Sequence, residues 1–320
     1  MKVCVTGGSG FIGLRLVDTL TKNGYEVTVL SRQASRTGPA VHRVVLADLT
    51  SADCRLDRFV ESCEIVFHCA GEVREAAQMR SLHVGGTRRL LAAVVREAAQ
   101  RGQSIHWVQL SSVGAYGPPD GPVNTERVVT EMTPTRPRGE YEVTKTESDE
   151  LVIQACERGL MSYSIVRPSN VFGSGMPNQS LRHLAAAVRR RLFFYVGRAG
   201  AVATYVHVDD VVEALRRCGA DDRAKGRIFN VSNDCLLEEM IEGMASACGV
   251  TRPRLRLPER AVRVAAQVIG KVIEIPLTPE RINALVARTR YPYLTLEHEL
   301  GFTPQFSVPE TVGEVVLPRS

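Results

Sequence analysis

The stretch Thr6-Gly7-Gly8-Ser9-Gly10-Phe11-Ile12-Gly13 decides the fold of this chain. It follows an apolar run at 2–6 that is typical of a buried strand, and it opens a pattern of apolar residues at helical spacing. A glycine turn between a strand and a helix is the arrangement that binds the diphosphate of a dinucleotide. Gly7 permits the tight turn, Gly10 permits close approach of a diphosphate, and Gly13 permits close packing of the helix on the sheet.

The first turn of that helix is the second part of the candidate phosphate site. Its backbone N–H groups have no partner within the helix, and the positive end of the helix dipole lies there. Both features favour a bound anion. We therefore expect a dinucleotide cofactor at Gly7, Gly10, Phe11, Ile12 and Gly13.

Short apolar runs alternate with helical patterns over the first 110 residues. Strands are predicted at 2–6, 25–30, 43–46, 65–69 and 105–110, and a further one at 162–166. Long helices are predicted at 84–101 and 144–158. Apolar strands separated by helices are typical of a parallel sheet that is buried on both faces. The predicted fold class is therefore α/β, a doubly wound Rossmann sheet.

A chain of 320 residues has the length of about two domains. Residues 118–139 are rich in Pro, Gly, Thr and charge, which predicts one long loop bordering a site. After 166 the pattern becomes irregular. We expect a Rossmann domain at 1–168 with about 205–232, and a smaller C-terminal substrate-binding domain at 169–204 with 233–320.

Composition argues against several classes of protein. The 40 basic and 35 acidic side chains give a net charge of +5 without a long run of one sign, which argues against a nucleic-acid partner. Eight cysteines without a C-x-x-C pair are typical of free thiols in a reducing compartment. No signal-peptide pattern opens the sequence, so that we expect a cytoplasmic protein.

One helical pattern, at 260–273, has an apolar stripe of Ala261, Ala265, Val268 and Val272. It is too short and too charged to span a membrane. A helix on a membrane surface is the alternative, but we expect this one to pack on its own domain. No membrane insertion is expected.

The end of the second predicted strand indicates which dinucleotide is bound. An NAD site has a carboxylate there for the ribose, whereas this chain has Ser31 and Arg32, followed by Arg36. A guanidinium suits a 2′-phosphate, so that NADP(H) is preferred, with NAD(H) as the alternative. Solvated loop charges are the other interpretation of these arginines. Asp48 and Leu49 are expected at the adenine edge, unless Asp48 merely caps a turn.

Tyr141 and Lys145 are spaced i and i+4 in a helical pattern, which places them on one face. A free phenol has a pKa of about 10, and a neighbouring ammonium favours the phenolate that acid–base catalysis needs. Ser112 follows the strand at 105–110, where its hydroxyl can hold a substrate oxygen beside the phenol. A surface helix pair is the alternative, but the glycine turn and the serine in the same chain argue against it.

With these residues the chain resembles the extended short-chain dehydrogenase/reductase superfamily, in particular its NAD-dependent epimerase/dehydratase family of nucleotide-sugar enzymes. Matching motifs occur in order over nearly the whole chain, at 6–13, 68–71, 85–87, 167–173, 205–211 and 300–304. The resemblance implies that Tyr141 is the acid/base, that Lys145 anchors the ribose and activates the phenol, and that Ser112 binds the substrate oxygen.

The same resemblance implies further contacts. It places Ala70 and residues 168–170 near the nicotinamide, with Pro168 as a cofactor contact and Asn170 as a substrate contact. Asn178 occupies the position of an asparagine that binds the nucleotide diphosphate. A homodimer would fit the family.

Departures from the family pattern narrow the reaction. The acidic pair that eliminates water in dehydratases is replaced at 113–114 by Val and Gly, which disfavours dehydration. The stretch 200–204 has no arginine for the diphosphate. His83 replaces the usual asparagine, and no second histidine lies at ligand spacing, so that no metal is expected. Candidate replacements for the arginine are Arg182, Arg189, Arg190, Arg191, Arg281, Arg288 and Arg290.

We expect a reductase that uses NADP(H) on the keto group of a nucleotide-diphosphate sugar, specifically a 4-keto-6-deoxy sugar of polysaccharide biosynthesis. Alternatives are a nucleotide-sugar 4-epimerase, a reductase of an apolar ketone, and a non-catalytic dinucleotide sensor. Retention of Ser112, Tyr141 and Lys145 argues against the sensor, which needs none of them.

Overall fold

A seven-stranded parallel sheet forms the centre of the fold. The structure, a computed structural model, describes residues 1–33, 41–157, 159–177, 179–269 and 277–316. Its strands in chain order are β1 (Lys2–Thr6), β2 (Glu26–Ser31), β3 (Arg43–Leu46), β4 (Ile65–His68), β5 (Ile105–Leu110), β6 (Glu126–Val128), β7 (Met161–Pro168), β8 (Asn170–Phe172), β9 (Tyr195–Val196), β10 (Val202–Ala203), β11 (Tyr205–His207), β12 (Arg227–Val231), β13 (Cys235–Leu236), β14 (Arg256–Leu257) and β15 (Arg288–Arg290).

Helices connect these strands. They are α1 (Phe11–Lys22), α2 (Asp57–Val60), α3 (Ala76–Arg80), α4 (Thr87–Arg101), α5 (Glu140–Cys156), α6 (Ser180–Arg189), α7 (Val208–Ala220), α8 (Leu237–Ala247), α9 (Glu259–Ile269), α10 (Pro279–Val286), α11 (Leu294–Leu300), α12 (Val308–Thr311) and α13 (Gly313–Val316). Helices α1 and α7 cover one face of the sheet, whereas α2, α4 and α5 cover the other. A π-helical turn (Ser81–Gly86) joins α3 to α4, and short 3-10 turns follow β5 and α7.

The strand order is β3-β2-β1-β4-β5-β7-β12, which confirms the doubly wound Rossmann fold. β1 pairs in parallel with β2 on one side and with β4 on the other, with Val3 opposite Val27 and Ile65. The order of the strands therefore reverses next to β1. In such sheets the crevice outside the carboxyl ends of the strands at this point is where ligands bind.

Alternate side chains of β1 pack into two different cores, as a sheet buried on both faces requires. Val3 and Val5 pack with α1 and α7, whereas Cys4 packs with α4 and with Val152 of α5. The C-terminal part has separate apolar clusters, one built mainly on α6 and α8 and one on α9 and α10. The eight cysteines are free thiols.

Two helix starts differ from the sequence prediction. α5 begins at Glu140, one turn before the predicted 144, because the Glu142 carboxylate accepts hydrogen bonds from the N–H groups of Arg138 and Gly139 and so caps the first turn. The helix predicted from 84 is a π-helical turn up to Gly86 and becomes α-helical at Thr87.

Two further predictions need correction, the second only in part. The loop at 118–139 contains β6, which pairs with β15. The helix predicted at 260–273 packs on its own domain as expected, but through Val262 and Ala266 and not through the predicted stripe, of which Val268 is 61% exposed. Val272 lies outside the described residues. No helix in the described ranges has the length and apolar character needed to cross a membrane.

We expect Gly13→Ala to destabilise the fold by about 1–3 kcal/mol, the usual cost of overpacking. A Cβ at residue 13 would lie 2.1 Å from the carbonyl oxygen of Gly7, and this oxygen belongs to the tight turn itself. The loss should appear as a lower free energy of unfolding in urea.

Gly121→Ala is the matched control, because a Cβ at residue 121 would meet no atom of the described chain within 4 Å. Equal stability of the two variants would contradict close packing of α1 on the glycine turn.

Candidate active site

The glycine turn forms a cradle of bare backbone at the carboxyl end of β1. Gly7 has φ +69°, and a Cβ there would lie 2.6 Å from the carbonyl carbon of Cys69. The N–H of Gly10 donates to the carbonyl of Gly7 at 2.9 Å and closes the turn. Gly10 is the N-cap of α1 and has no side chain that could cap the helix, and the first turn of α1 contains no acidic residue. The cradle therefore leaves room for a diphosphate, and the predicted contacts of Gly7 and Gly10 with one stay a prediction.

The end of β4 lies directly beside this cradle. The N–H of Cys69 donates to the carbonyl of Thr6 at 3.2 Å, and the N–H of Ala70 donates to the Thr6 hydroxyl at 3.2 Å. Ala70, expected near the nicotinamide, is thus next to the glycine turn. The fold brings these two predicted contacts to one edge of the sheet.

Arg32 and Asp48 lie near each other at the edge of the sheet. Arg32 is exposed directly after β2, and Arg36 lies outside the described residues. The N–H of Thr50 donates to the Asp48 carboxylate at 2.8 Å and, with Arg32 nearby, holds the pKa of Asp48 below its ordinary value. Asp48 therefore caps a turn, whereas the side chain of Leu49 is buried in the core.

The predicted catalytic residues come from two elements that pack together. Ser112 follows β5 and begins a 3-10 turn, where its hydroxyl accepts from the N–H of Gly114 at 3.1 Å. That turn lies against the first turn of α5, since a Cβ on Gly114 would be 2.9 Å from Cγ of Glu142. Tyr141 is on the same first turn of α5, and Lys145 is one turn further on.

Lys145 is buried, and its ammonium donates to the carbonyl of Leu110, the last residue of β5, at 2.5 Å. Burial lowers the pKa of Lys145, and the nearby carboxylate of Asp149 opposes this effect. Burial also raises the pKa of Tyr141 to about 12, with the charges of Asp149 and Glu142 adding to it. The phenol therefore carries its proton at neutral pH. This is the reverse of the lowered pKa that the spacing to Lys145 predicted, because burial and the two carboxylates outweigh the ammonium in the free protein.

A buried charge cluster supports Lys145 from the next turn of α5. The carboxylate Oδ2 of Asp149 accepts from the Ser111 hydroxyl at 2.7 Å and from the Arg167 guanidinium at 3.1 Å. Asp149 and Arg167 are nearly inaccessible to solvent. The second oxygen, Oδ1, is buried without a hydrogen-bond partner among the described residues. Asp149 thus joins α5 to the end of β7, where Arg167 lies.

A second buried network runs from the glycine turn to the same helix. His68 joins the hydroxyl of Thr6, at 2.7 Å, to that of Thr87, at 3.0 Å. Thr87 in turn contacts the hydroxyl of Ser148 on α5 at 2.9 Å. Burial lowers the pKa of His68 to about 3, so that the ring is neutral at neutral pH. Hydrogen bonds therefore connect the glycine turn to α5 through His68 and Thr87.

Sequence reasoning missed Asp149 as part of the site. A signal was present, since residues 141, 145 and 149 are spaced i, i+4 and i+8 and so form one stripe of α5. The charged partner, Arg167, comes from a strand 18 residues further on. Spacing within the helix does not reveal such a partner.

The remaining predicted cofactor and substrate contacts form no hydrogen bond with Ser112, Tyr141 or Lys145 among the described residues. Pro168 ends β7 and is buried, whereas Asn170 is exposed and donates to the carbonyl of Thr204 at 3.0 Å. Asn178 lies outside the described residues. Among the candidate arginines, Arg288 is half-buried and donates to the carbonyl of Ala199. The other candidates, Arg182, Arg189, Arg190, Arg191, Arg281 and Arg290, are exposed.

Comparison with known proteins identifies the family of this chain. The sequence model of the NAD dependent epimerase/dehydratase family matches residues 3–232. The chain belongs to this family. The family prediction is confirmed, and with it the prediction of an NAD-dependent enzyme of the extended short-chain dehydrogenase/reductase type.

Individual relatives cover nearly the whole chain. The dTDP-6-deoxy-L-talose 4-dehydrogenase (NAD(P)(+)) of Kitasatospora kifunensis is 36% identical over 100% of this chain and 96% of its own. Sterol demethylase protein B of Methylococcus capsulatus is 30% identical over 82% of this chain and 79% of its own. The structure of MoeE5 in complex with UDP-glucuronic acid and NAD matches the fold with a TM-score of 0.74 at 23% identity, over 98% and 97% of the two chains.

We expect Asp149→Asn to lower the free energy of unfolding by about 3–5 kcal/mol, because it leaves the buried Arg167 without a counter-charge. Urea denaturation measures the loss.

Asp120→Asn is the control. It removes the carboxylate from another ion pair, with Arg136 at 2.7 Å, in which both side chains are exposed. Exposed pairs contribute at most about 1 kcal/mol. Similar losses in the two variants would show that the buried ion pair of Asp149 contributes no more to the free energy of unfolding than an exposed one.

Proposed function

We propose that the protein is an oxidoreductase that uses NADP(H) to reduce the keto group at C4 of a nucleotide-diphosphate 6-deoxy sugar. The observation that carries this proposal is the placement of Tyr141 on the first turn of α5, against the turn that starts at Ser112 and one helical turn from Lys145. The likeness to a dTDP-6-deoxy-L-talose 4-dehydrogenase supports the choice of sugar and of position.

The cofactor would be held at its two ends by different parts of the sheet edge. The cradle of Gly7 and Gly10 with the N-terminus of α1 would take the diphosphate, and Arg32 would take the 2′-phosphate of NADP(H). Ala70 and Pro168 would border the nicotinamide. When bound, the cofactor supplies the hydride that reaches the carbonyl carbon.

The residues of the chain would supply the proton and hold the oxygen. The Ser112 hydroxyl would donate a hydrogen bond to the carbonyl oxygen as negative charge develops on it. The phenol of Tyr141 would give its proton to that oxygen, which forms the alcohol. Lys145, held by the carbonyl of Leu110, would stabilise the phenolate that remains. One alcohol would form for each reduced cofactor consumed.

A second candidate is reduction of an apolar ketone. It is favoured by residues 200–204, which contain no arginine and include the buried Val202 and Ala203 of β10. The likeness to sterol demethylase protein B supports it as well. A 4-epimerase would use the same residues without net consumption of cofactor.

The proposal also covers the cellular location of the protein and the roles of its two domains. We place the protein in the cytoplasm, and we assign 1–168 with 205–232 to cofactor binding. Residues 169–204 and 233–320 would bind the substrate, with Asn170 and Asn178 among the contacts.

The test is NADPH consumption, followed at 340 nm, with a dTDP-4-keto-6-deoxyhexose and with an apolar cyclic ketone. We expect stoichiometric oxidation with the sugar only. Turnover of the ketone alone would support the second candidate, and interconversion of two sugars without loss of absorbance would support the epimerase.

Tyr141→Phe should lower kcat by about 10²–10⁴-fold, the usual contribution of a positioned acid, and leave the Kd of NADPH nearly unchanged. Tyr163→Phe is the control, because it removes the same hydroxyl from a tyrosine in the first half of β7, opposite Trp107. The candidate site lies at the other, carboxyl end of the strands. Equal activity of Tyr141→Phe and the wild type would rule out the assigned acid.

Arg32→Glu should weaken NADPH binding by about 10- to 100-fold, because it replaces a charged hydrogen-bond donor with a carboxylate that repels the 2′-phosphate. NADH binding should stay the same or improve. Calorimetric titration with both cofactors measures the change. Arg88→Glu, at an exposed position of α4, makes the same change of charge. A parallel loss in that variant would mean that only net charge matters.

A further inference from the structure

His83 lies in the π-helical turn between α3 and α4, and its side chain is buried. π-helical turns are rare and occur often at functional sites, because the extra residue redirects a side chain. Here the turn directs His83 toward the start of α5, the helix that carries Tyr141. The mechanism above gives His83 no part.

Both ring nitrogens of His83 have partners, and these belong to two different segments. Nε2 accepts from the N–H of Glu72 at 2.9 Å. Nδ1 is 2.8 Å from the hydroxyl of Thr144 on α5. That hydroxyl donates to the carbonyl of Glu140 at 2.7 Å, so it accepts the proton on Nδ1. One imidazole therefore bridges the segment after β4 and the first turn of α5.

The ring also contacts the catalytic phenol directly. His83 and Tyr141 meet edge to face, with ring centroids 5.6 Å apart and planes at 82°. Burial, together with the charge of Lys145, lowers the pKa of His83 to about 3. The neutral ring keeps a lone pair on Nε2 for Glu72 and a proton on Nδ1 for Thr144 throughout the neutral range.

The segment held by Nε2 starts next to a predicted cofactor contact. Glu72 follows Ala70 by two residues, and Ala70 is itself tied to Thr6. Beyond it, the Glu72 carboxylate accepts from the N–H groups of Arg74 and Glu75, which closes an exposed turn. The bond to His83 thus joins this loop to the protein interior at its first residue after Gly71.

We propose that His83 is a positioning residue that ties the loop at 71–75 to the catalytic turn of α5, so that the cofactor-side loop and the phenol of Tyr141 are held in one arrangement. This inference rests on the proposed function, because it assumes that the nicotinamide lies between Ala70 and Tyr141. In this proposal the hydrogen bond to Glu72 supports cofactor binding, and the hydrogen bond to Thr144 supports the position of the Tyr141 phenol.

Two substitutions separate the bonds by side-chain length. In His83→Asn the side-chain amide reaches only as far from the backbone as Nδ1 did. The variant therefore keeps a hydrogen-bond donor for Thr144 and loses the acceptor for the N–H of Glu72. His83→Gln places an amide at the depth of Nε2, which keeps the acceptor and loses the donor. Both variants remain polar, so that neither buries an apolar group against the two partners. Thr144→Val removes the α5 bond from the other side.

We expect a different measurement to change in each variant. His83→Asn should weaken NADPH binding about tenfold, with kcat within twofold of the wild type, and should speed hydrogen exchange of the Glu72 amide in the free protein about tenfold. His83→Gln and Thr144→Val should lower kcat about tenfold and leave the Kd of NADPH and the exchange of Glu72 unchanged. Tenfold corresponds to about 1.4 kcal/mol, within the range of one hydrogen bond.

Two results would overturn the proposal. One is a lower melting temperature in every variant with Kd, kcat and Glu72 exchange all unchanged, which is what a merely structural role produces. The other is equal behaviour of His83→Asn and His83→Gln in Kd and exchange. These two quantities are measured without a sugar, so that they judge His83 even if the keto sugar proves not to be the substrate.

Discussion

The buried carboxylate of Asp149 is the interaction on which the site depends. Its Oδ2 receives bonds from Ser111 at the end of β5 and from Arg167 at the end of β7, while the helix that carries it also carries Tyr141 and Lys145. Arg167 forms a buried ion pair with Asp149, and the buried ammonium of Lys145 lies close enough to interact with the same negative charge. Removing a charge from water is costly unless a partner compensates it, so that this carboxylate makes the burial of both cations less costly.

The other segments of the candidate site lie around Asp149 at the same edge of the sheet. The glycine turn after β1 and the segment after β4 pack together there with backbone close to backbone. The turn after β5 brings Ser112 against the first turn of α5. Each of these segments leaves the carboxyl end of a parallel strand, which is why residues far apart in the chain come together.

Much of the fold and part of the candidate site could be predicted from the sequence. What could be predicted depends on residues that are neighbours in the chain, and what was missed depends on residues that are far apart in it. The glycine turn and the alternating apolar runs depend on neighbouring residues, so that the sheet and the pair of Tyr141 and Lys145 were found. β6 was missed because its pairing with β15 joins residues about 160 positions apart. The roles of Asp149 and His83 depend on burial and on partners in other segments, which local spacing does not reveal.

The short ladder between β6 and β15 has a mechanical consequence. It fastens the segment at 126–128, which follows the turn of Ser112, to Arg288–Arg290 in the C-terminal part of the chain. Residues 126–128 and 288–290 therefore cannot shift independently of each other without breaking the hydrogen bonds of this ladder.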